Sequence, residues 1–491
     1  MASPVLTPYH SFIQIDRQAP TAVYLQIARQ LMHAIQRGFI AGGTKLPGSR
    51  QLAALLNIHR NTLVAAYNEL DVQGWVEILP NQGTFVRDNW VQKTSRLVTS
   101  KGPLQSSPQL TGYDFQRDAL LDSVEKPANV SLACNDGLPD IRLSSFKDLN
   151  RGYAAVLKRA NSERKLHTLN QHGNQYFKRQ LSNYLNLTRG LYIGAQQILV
   201  TRSAELSLYL VAQTLLRQGD HVIIGNPSYY TANMIFQKAG AIMLPVAMDG
   251  DGIDVDQIEI LCKRQPIRML YLTPHHHYPT TVTLSAGRRI QLLQLANRYG
   301  FIILEDDFDY EYHYSPVKIV PLASVDDQGM VVYMGSFGRS LAPGFRRGFI
   351  LAPENLIVEL GKLQQIMDPQ TDVFMEHVLG ELIEEGEIHR FTKKNTLIYQ
   401  GRRDHMAGLL SAQLAHVVEF TIPQGGLALW INWRSDINLL RLSRNCAQQG
   451  LYLPQNLLYQ TQDITGMRLG FAHLDFEEQA VVVAQLRKFC Q

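Results

Sequence analysis

From about Ser131 onward the chain repeats one pattern: a short apolar run, then a longer stretch with helical periodicity. Ile198 to Val200, His221 to Ile224, Met269 to Leu272, Phe301 to Leu304, Val331 to Met334 and Phe349 to Leu351 each read as a buried strand. The intervals between them leave room for helices that cross back over a sheet. Buried strands alternating with helices specify an α/β domain with a mostly parallel sheet. Ligands of such sheets sit beyond the C-terminal strand ends. Three segments therefore become site candidates on topology alone: Thr273 to Thr281, Glu305 to Phe308, and Gly335 to Arg339.

That pattern leaves the first 130 of 491 residues unexplained, and length alone suggests roughly two to four domains. The composition, 45% hydrophobic and 18% charged, is that of a soluble globular chain. No apolar run approaches the roughly 18 residues of a membrane span, and Met1 to Tyr9 lacks the pattern of a secretory signal. Cys134, Cys262, Cys446 and Cys490 are far apart with no CxxC pair, which points to a reducing cytoplasm and away from a zinc site. A net charge of +4 permits nucleic-acid binding without requiring it.

Pro20 to Gly38 reads as an amphipathic helix with Tyr24, Ile27, Leu31 and Ile35 on one face and Gly38 as its stop. Leu46-Pro47-Gly48-Ser49 is a turn whose serine suits the cap of a second helix carrying Leu52, Leu55 and Leu56, which Asn57 can end. A third helix begins near His59, with Leu63, Tyr67 and Leu70 inward and Gly74 at its end. Two short helices joined so tightly suggest a helix-turn-helix. Arg60, Asn61 and Thr62 then fall in the first turn of the recognition helix, within reach of base edges and phosphates. Trp75 to Leu79, a turn at Pro80 to Gly83, and Thr84 to Val86 read as a β-hairpin wing. Asn89 to Val130, rich in Ser, Thr, Gln, Lys and Pro, reads as a tether. The domain division is thus 1–88 for the head, 89–130 for the linker and 131–491 for the body.

The run from Leu46 to Val86 resembles the winged-helix head of GntR-type transcription regulators, matching that pattern at Leu46, Pro47, Ser49, Arg50, Leu52, Ala53, Arg60, Asn61 and Thr62. The resemblance implies contacts to double-stranded DNA from Arg50, Arg60, Asn61 and Thr62, with Gln82 and Gly83 beside the minor groove. His59 stands where that family usually has serine or threonine, which implies a lost helix cap.

The body is similar to the aminotransferase-like domain of the MocR subfamily of those regulators. The similarity runs from Gly137-Leu138-Pro139-Asp140 through Thr188-Arg189-Gly190 to Arg468-Leu469-Gly470-Phe471. It implies a fold-type I aminotransferase architecture and a pyridoxal-phosphate pocket. Tyr229 matches the aromatic that stacks on the pyridine ring, and Asp306 the carboxylate that pairs with its nitrogen. Ser336 and Arg346 match phosphate ligands, and Arg468 matches the arginine that grips a substrate's α-carboxylate. A structural alternative stands beside each: Asp306 paired with Arg339, Tyr229 in the core, Arg346 bridging strands.

The departures fall in the same pocket. Arg339 occupies the position of the Schiff-base lysine, and a guanidinium stays protonated and offers no nucleophilic amine. Phe308 replaces a tyrosine, Gly338 a serine, Ser203 a glycine and Glu205 a glutamine. A carboxylate at position 205 would repel a phosphate.

The expectation is a cytoplasmic, homodimeric transcription regulator that binds an operator and is not an enzyme. Its degenerate body would sense a small anionic effector, with Arg339, Arg346 and Arg468 converging, opposed mainly by Asp306 and Glu205. Covalent pyridoxal phosphate is not expected. The alternatives are a regulator or enzyme that holds the cofactor non-covalently, and a scaffold that only dimerises. His275-His276-His277 has no carboxylate or cysteine close by in sequence and reads as a loop rather than a metal site. Gly425-Gly426-Leu427 reads as a turn opening a strand, Ala428 to Trp433.

Overall fold

A computed structural model describes residues 9, 13–17, 19, 21–36, 40–80, 82–87, 111–115, 118, 132–144, 146–159, 173–316, 319–339, 346–369, 372–461 and 463–490. The chain forms two compact units. One comprises 1–131, 433–466 and 490; the other comprises 132–432, 467–489 and 491. The expected stop at Gly38, the wing-tip residue Asn81 and nearly all of the expected linker lie outside the described residues.

In the first unit, α1 (Val23–Gln36), α2 (Ser49–Leu55) and α3 (Arg60–Val72) precede the hairpin of β1 (Val76–Leu79) and β2 (Gly83–Val86). Ile27, Leu31, Leu52, Leu63 and Leu70 are fully buried, so the inward faces read from periodicity are the core. Leu55 is an exception at 51% exposed, because the seven-residue α2 turns that position outward. Ser49 does not cap α2. Gly48 takes the cap position, and the Ser49 hydroxyl instead accepts from Arg60 Nε at 3.3 Å. Nor does His59 forfeit a cap, since its Nδ1 accepts from the Asn61 amide at 3.3 Å. Asn57 adopts φ 52° in the turn, a conformation that asparagine tolerates better than most residues. The wing gains a third strand-like segment: Leu46 N–H donates to Thr84 O at 2.8 Å, and Val86 N–H to Thr44 O at 2.9 Å.

The second unit is built on an eight-stranded sheet. Its strands are β3 (Ile198–Thr201), β4 (His221–Asn226), β5 (Ile242–Asp249), β6 (Gly252–Ile253), β7 (Met269–Leu272), β8 (Ile302–Asp307), β9 (Val331–Ser336) and β10 (Gly348–Leu351). The order is β3-β10-β9-β8-β7-β4-β5-β6. Strands β9, β8, β7, β4 and β5 run parallel, while β10 lies antiparallel between β9 and β3. One face packs on helices Ala204–Leu215, Tyr230–Lys238 and Glu354–Met367. The other packs on Val255–Arg264 and Ala286–Tyr299. Every strand read from an apolar run is present, but β8 reaches three residues further and β9 two, so Glu305, Asp306, Asp307, Gly335 and Ser336 lie on strands rather than after them. Strand β5 was not among the strands read from the sequence: its run Ile242 to Met248 is apolar but interrupted by Pro245, and in the structure only Val246 is buried.

Candidate functional site

The head presents its polar residues as the sequence anticipates. Arg50, Arg60, Asn61 and Gln82 are exposed, and Thr62 and Gly83 half-buried. The bond from Arg60 to Ser49 ties the start of α3 to the start of α2, fixing where that guanidinium points. Lys45 is a cation that the sequence did not single out, because its place on the wing depends on the third segment. Its ammonium lies 5.7 Å from the Phe85 ring centroid, and its side chain crosses Gly83, where an added Cβ would come within 2.8 Å of the lysine chain.

In the body, a cavity of about 190 Å³ opens at the C-terminal ends of β7, β8 and β9. Tyr229, Tyr271, Asp306, Phe308, Ser336, Arg339 and Arg346 line it, as do Ser203 and Glu205. The three segments chosen on topology therefore meet at one place. Asp306 is 4% exposed, its Oδ2 accepts from Tyr271 OH at 2.9 Å, and its Oδ1 is buried without a partner. Burial pushes this carboxyl up to about 7, against the lowering effect of the tyrosine bond. Tyr229 precedes helix Tyr230–Lys238 and meets Tyr278 edge-on at 4.7 Å. Ser203 caps helix Ala204–Leu215 by accepting from Leu206 N–H at 3.2 Å, with Glu205 in the first turn. A carboxylate there is favoured by the helix dipole, so the departure at 205 stabilises the helix while adding negative charge beside the cavity. Arg346 is exposed, and its carbonyl accepts from the buried Arg347 at 2.8 Å.

The expected convergence of three arginines opposed by Asp306 and Glu205 is corrected. Arg339 does not pair with Asp306. Its Nη2 donates to Asp136 Oδ2 at 2.7 Å and its Nη1 to Gly137 O, and its guanidinium lies 4.9 Å over the Phe308 ring. Arg468 is fully buried and does not line the cavity. It donates to Asp136 O at 2.8 Å and to Pro279 O at 3.0 Å, and lies 4.6 Å over the Tyr278 ring. Burial alone would raise the Asp136 carboxyl, yet Arg339 and Arg468 hold it below its ordinary value. Asp136 is the residue that sequence reasoning missed. Nothing in Asn135-Asp136-Gly137 marks it, because its partners lie over 200 and 300 positions away.

The histidine tract is also corrected in part. Carboxylates do complement it, brought in by the fold: His276 Nδ1 lies 2.8 Å from Asp309 and His275 Nδ1 3.1 Å from Asp307. Among the described residues no group of three or more His, Cys, Asp or Glu is arranged to hold a metal ion, and no helix is long and apolar enough to cross a membrane. The turn at Gly425-Gly426 does open the strand Ala428–Trp433.

Two family descriptions match this chain: "Aminotransferase class I and II" over residues 144–486, and "Bacterial regulatory proteins, gntR family" over 23–86. The HTH-type transcriptional regulator YdfD of Bacillus subtilis is 24% identical over 479 residues, covering 95% of this chain and 96% of that protein. The probable rhizopine catabolism regulatory protein MocR of Rhizobium meliloti is 24% identical over 94% of this chain and 92% of its own length. Among solved structures, the multiple substrate aminotransferase of Thermococcus profundus superposes with a TM-score of 0.66 at 24% identity, covering 74% of this chain and 92% of that one. That likeness is one of fold. With the first description matching well over half of its length and the second its head, the chain belongs to the aminotransferase class I and II family and carries a gntR-type head, the arrangement of the MocR subfamily.

Proposed function

We infer that this chain is a DNA-binding transcription regulator, and we propose that its body holds a small planar ligand without covalent attachment and without transaminase activity. The regulators matched over nearly its whole length support the first part. Arg50, Arg60, Asn61 and Thr62 would contact the operator from α2 and α3, with Gln82 and Gly83 at the wing tip, and a cytoplasmic homodimer would present two heads. Arg60→Ala is expected to weaken operator binding by about 1–3 kcal/mol if the contact is base-specific, with the dimer unchanged in sedimentation. An unaltered affinity at fixed salt would remove Arg60 from the interface.

The aminotransferase fold family implies pyridoxal phosphate, so the fit of the pocket matters. One observation carries the proposal: the buried, unpartnered Asp306 Oδ1 looks into a cavity walled by Tyr229. A carboxyl with one oxygen committed to Tyr271 and the other unsatisfied suits a ring nitrogen that shares its proton. Tyr229 would stack on the ring, and Ser336 and Arg346 would hold the phosphate end, although Glu205 weakens that end. The attachment point does not fit. Arg339 offers no amine, and its guanidinium is committed to Asp136 and Gly137. When bound, the group would supply an electron-withdrawing ring; position 339, an arginine, supplies no lysine base to move a substrate proton. The test is absorbance of the purified protein with added pyridoxal phosphate, followed by borohydride treatment and denaturing mass spectrometry. The expected result is a perturbed spectrum, an intact mass without adduct, and no half-reaction with any amino acid. A reducible adduct on any lysine overturns it.

A further inference from the structure

We propose that Asp136 is an internal carboxylate ligand of the Arg339–Arg468 pair, and that it excludes amino acids and other small carboxylates from that half of the pocket. This rests on the reading of the cavity as a ligand site and narrows the class of ligand that the site accepts.

The two guanidiniums share Asp136: Arg339 bonds its carboxylate and Arg468 its main-chain carbonyl. Arg339 lies over Phe308 at 4.9 Å, and Arg468 lies over Tyr278 at 4.6 Å and over Phe308 at 5.8 Å, so aromatic faces support both cations. Arg468 is fully buried and the Arg339 side chain only 14% exposed. Cations so desolvated need an anion. Asp136 is that anion. Its carboxylate meets Arg339 at 2.7 Å, and its own carbonyl accepts from Arg468 at 2.8 Å, so one residue addresses both guanidiniums. The adjacent Gly137 carbonyl accepts from Arg339 as well. The Asn135 side chain fixes the turn by accepting from the Gly137 and Leu138 amides, both at 2.9 Å. A carboxylate on such a turn acts at an effective concentration of at least the millimolar order, and a free monocarboxylate must compete with that. The presence of Phe308 also fits: a phenyl face supports the two cations without adding a hydroxyl that would need a partner. Arg339, Phe308 and Asp136 therefore act as one unit that closes the carboxylate subsite and leaves the ring slot at Asp306 and Tyr229 open.

The experiment is chemical rescue of full-length Asp136→Gly by acetate, against chloride at equal ionic strength. Acetate is expected to raise the melting temperature of the variant, and to bind it at least about tenfold more tightly than the wild type, which should not respond. Should Asp136→Gly not fold in chloride, the same rescue is read as recovery of folded protein by circular dichroism. Adding Arg339→Gln should abolish the response, and Asp136→Glu, which keeps an internal carboxylate, should remain silent. Equal responses in wild type and variant, no response in either, or a rescue that survives Arg339→Gln would each overturn the proposal. Pyridoxal phosphate binding by the wild type is read separately by absorbance, so failure of the ring slot and failure of the carboxylate lock are distinguishable.

Discussion

Asp307→Ala is expected to destabilise the body by about 3–5 kcal/mol, because it leaves a buried cation without its compensating charge. Asp307 is 2% exposed at the end of β8, next to the candidate ligand residue Asp306. Tyr333 OH donates to it, the His275 ring lies 3.1 Å away, and Arg189 Nε lies at 3.6 Å. Arg189, itself 2% exposed, also bonds Glu311 at 2.7 Å and lies 4.5 Å over the Tyr310 ring. Burial would raise the Asp307 carboxyl, but His275, Arg189 and Tyr333 outweigh it and hold it well below the ordinary carboxylate range. A depressed folded value means that this contribution is complete above an unfolded carboxylate's ordinary value of about 4 and is lost only as pH falls through the folded value. Denaturant unfolding at neutral pH is the measurement. Asp307→Asn, which preserves shape and can still accept from Tyr333, should lose less than alanine. A loss below about 1 kcal/mol for alanine would show that Glu311 alone compensates Arg189.

What the sequence made legible follows from the range of the interactions involved. A strand buried on both faces leaves a continuous apolar run, so β3, β4, β7, β8, β9 and β10 could be read directly. The run Ile242 to Met248 in β5 is equally apolar but carries Pro245, which argues against a strand inside a sheet, and it was not read as one. The segments Glu305 to Phe308 and Gly335 to Arg339 were legible because each follows an apolar run in a fold that places strand ends at a ligand, whereas the roles given to Asp306 and Ser336 within them came from the resemblance. The first-turn residues of α3 were legible for a similar local reason. Contacts across the chain were not. Whether Arg339 meets Asp306 or Asp136 depends on where a turn some 200 residues earlier passes over the sheet, and charge alone favours neither. The caps show a subtler limit. Serine is the better helix cap by preference, yet Ser49 is drawn to Arg60 and the His59 ring takes the capping role. Local propensity is a prior that tertiary partners override.

Between pH 7 and 5 the neutral burial of His277 is expected to cost the body about 2 kcal/mol, a loss that His277→Gln should remove, while Asp306, raised to about 7, takes up its proton over the same range and offsets part of it. His277 is 7% exposed and pushed down to about 3, chiefly by burial and then by the Arg468 guanidinium. Its Nδ1 lies 2.8 Å from Thr280 Oγ1, and the ring fits against the sheet only because Gly225 has no side chain, a Cβ there falling 2.7 Å from Nε2. Two further histidines are depressed by burial: His313, held down to about 3 with help from His276 and His275, and His473, at about 4. Both are half-exposed, so solvent screening reduces their share. The sign follows from the proton balance. An unfolded histidine takes up a proton near its ordinary value of about 6.5, while the folded ring stays neutral down to about 3. Stability is therefore complete above about 6.5 and falls by about 1.4 kcal/mol per unit of pH per fully buried ring below it. The window lies above that of Asp307, so the two effects separate in a pH series of thermal or denaturant midpoints. Glutamine fills a similar volume and can bond Thr280 without a titrating nitrogen. If the midpoint of His277→Gln follows the wild-type pH dependence, protonation of this ring is not what acid does to the fold, and the half-exposed histidines or the carboxylates must carry the loss.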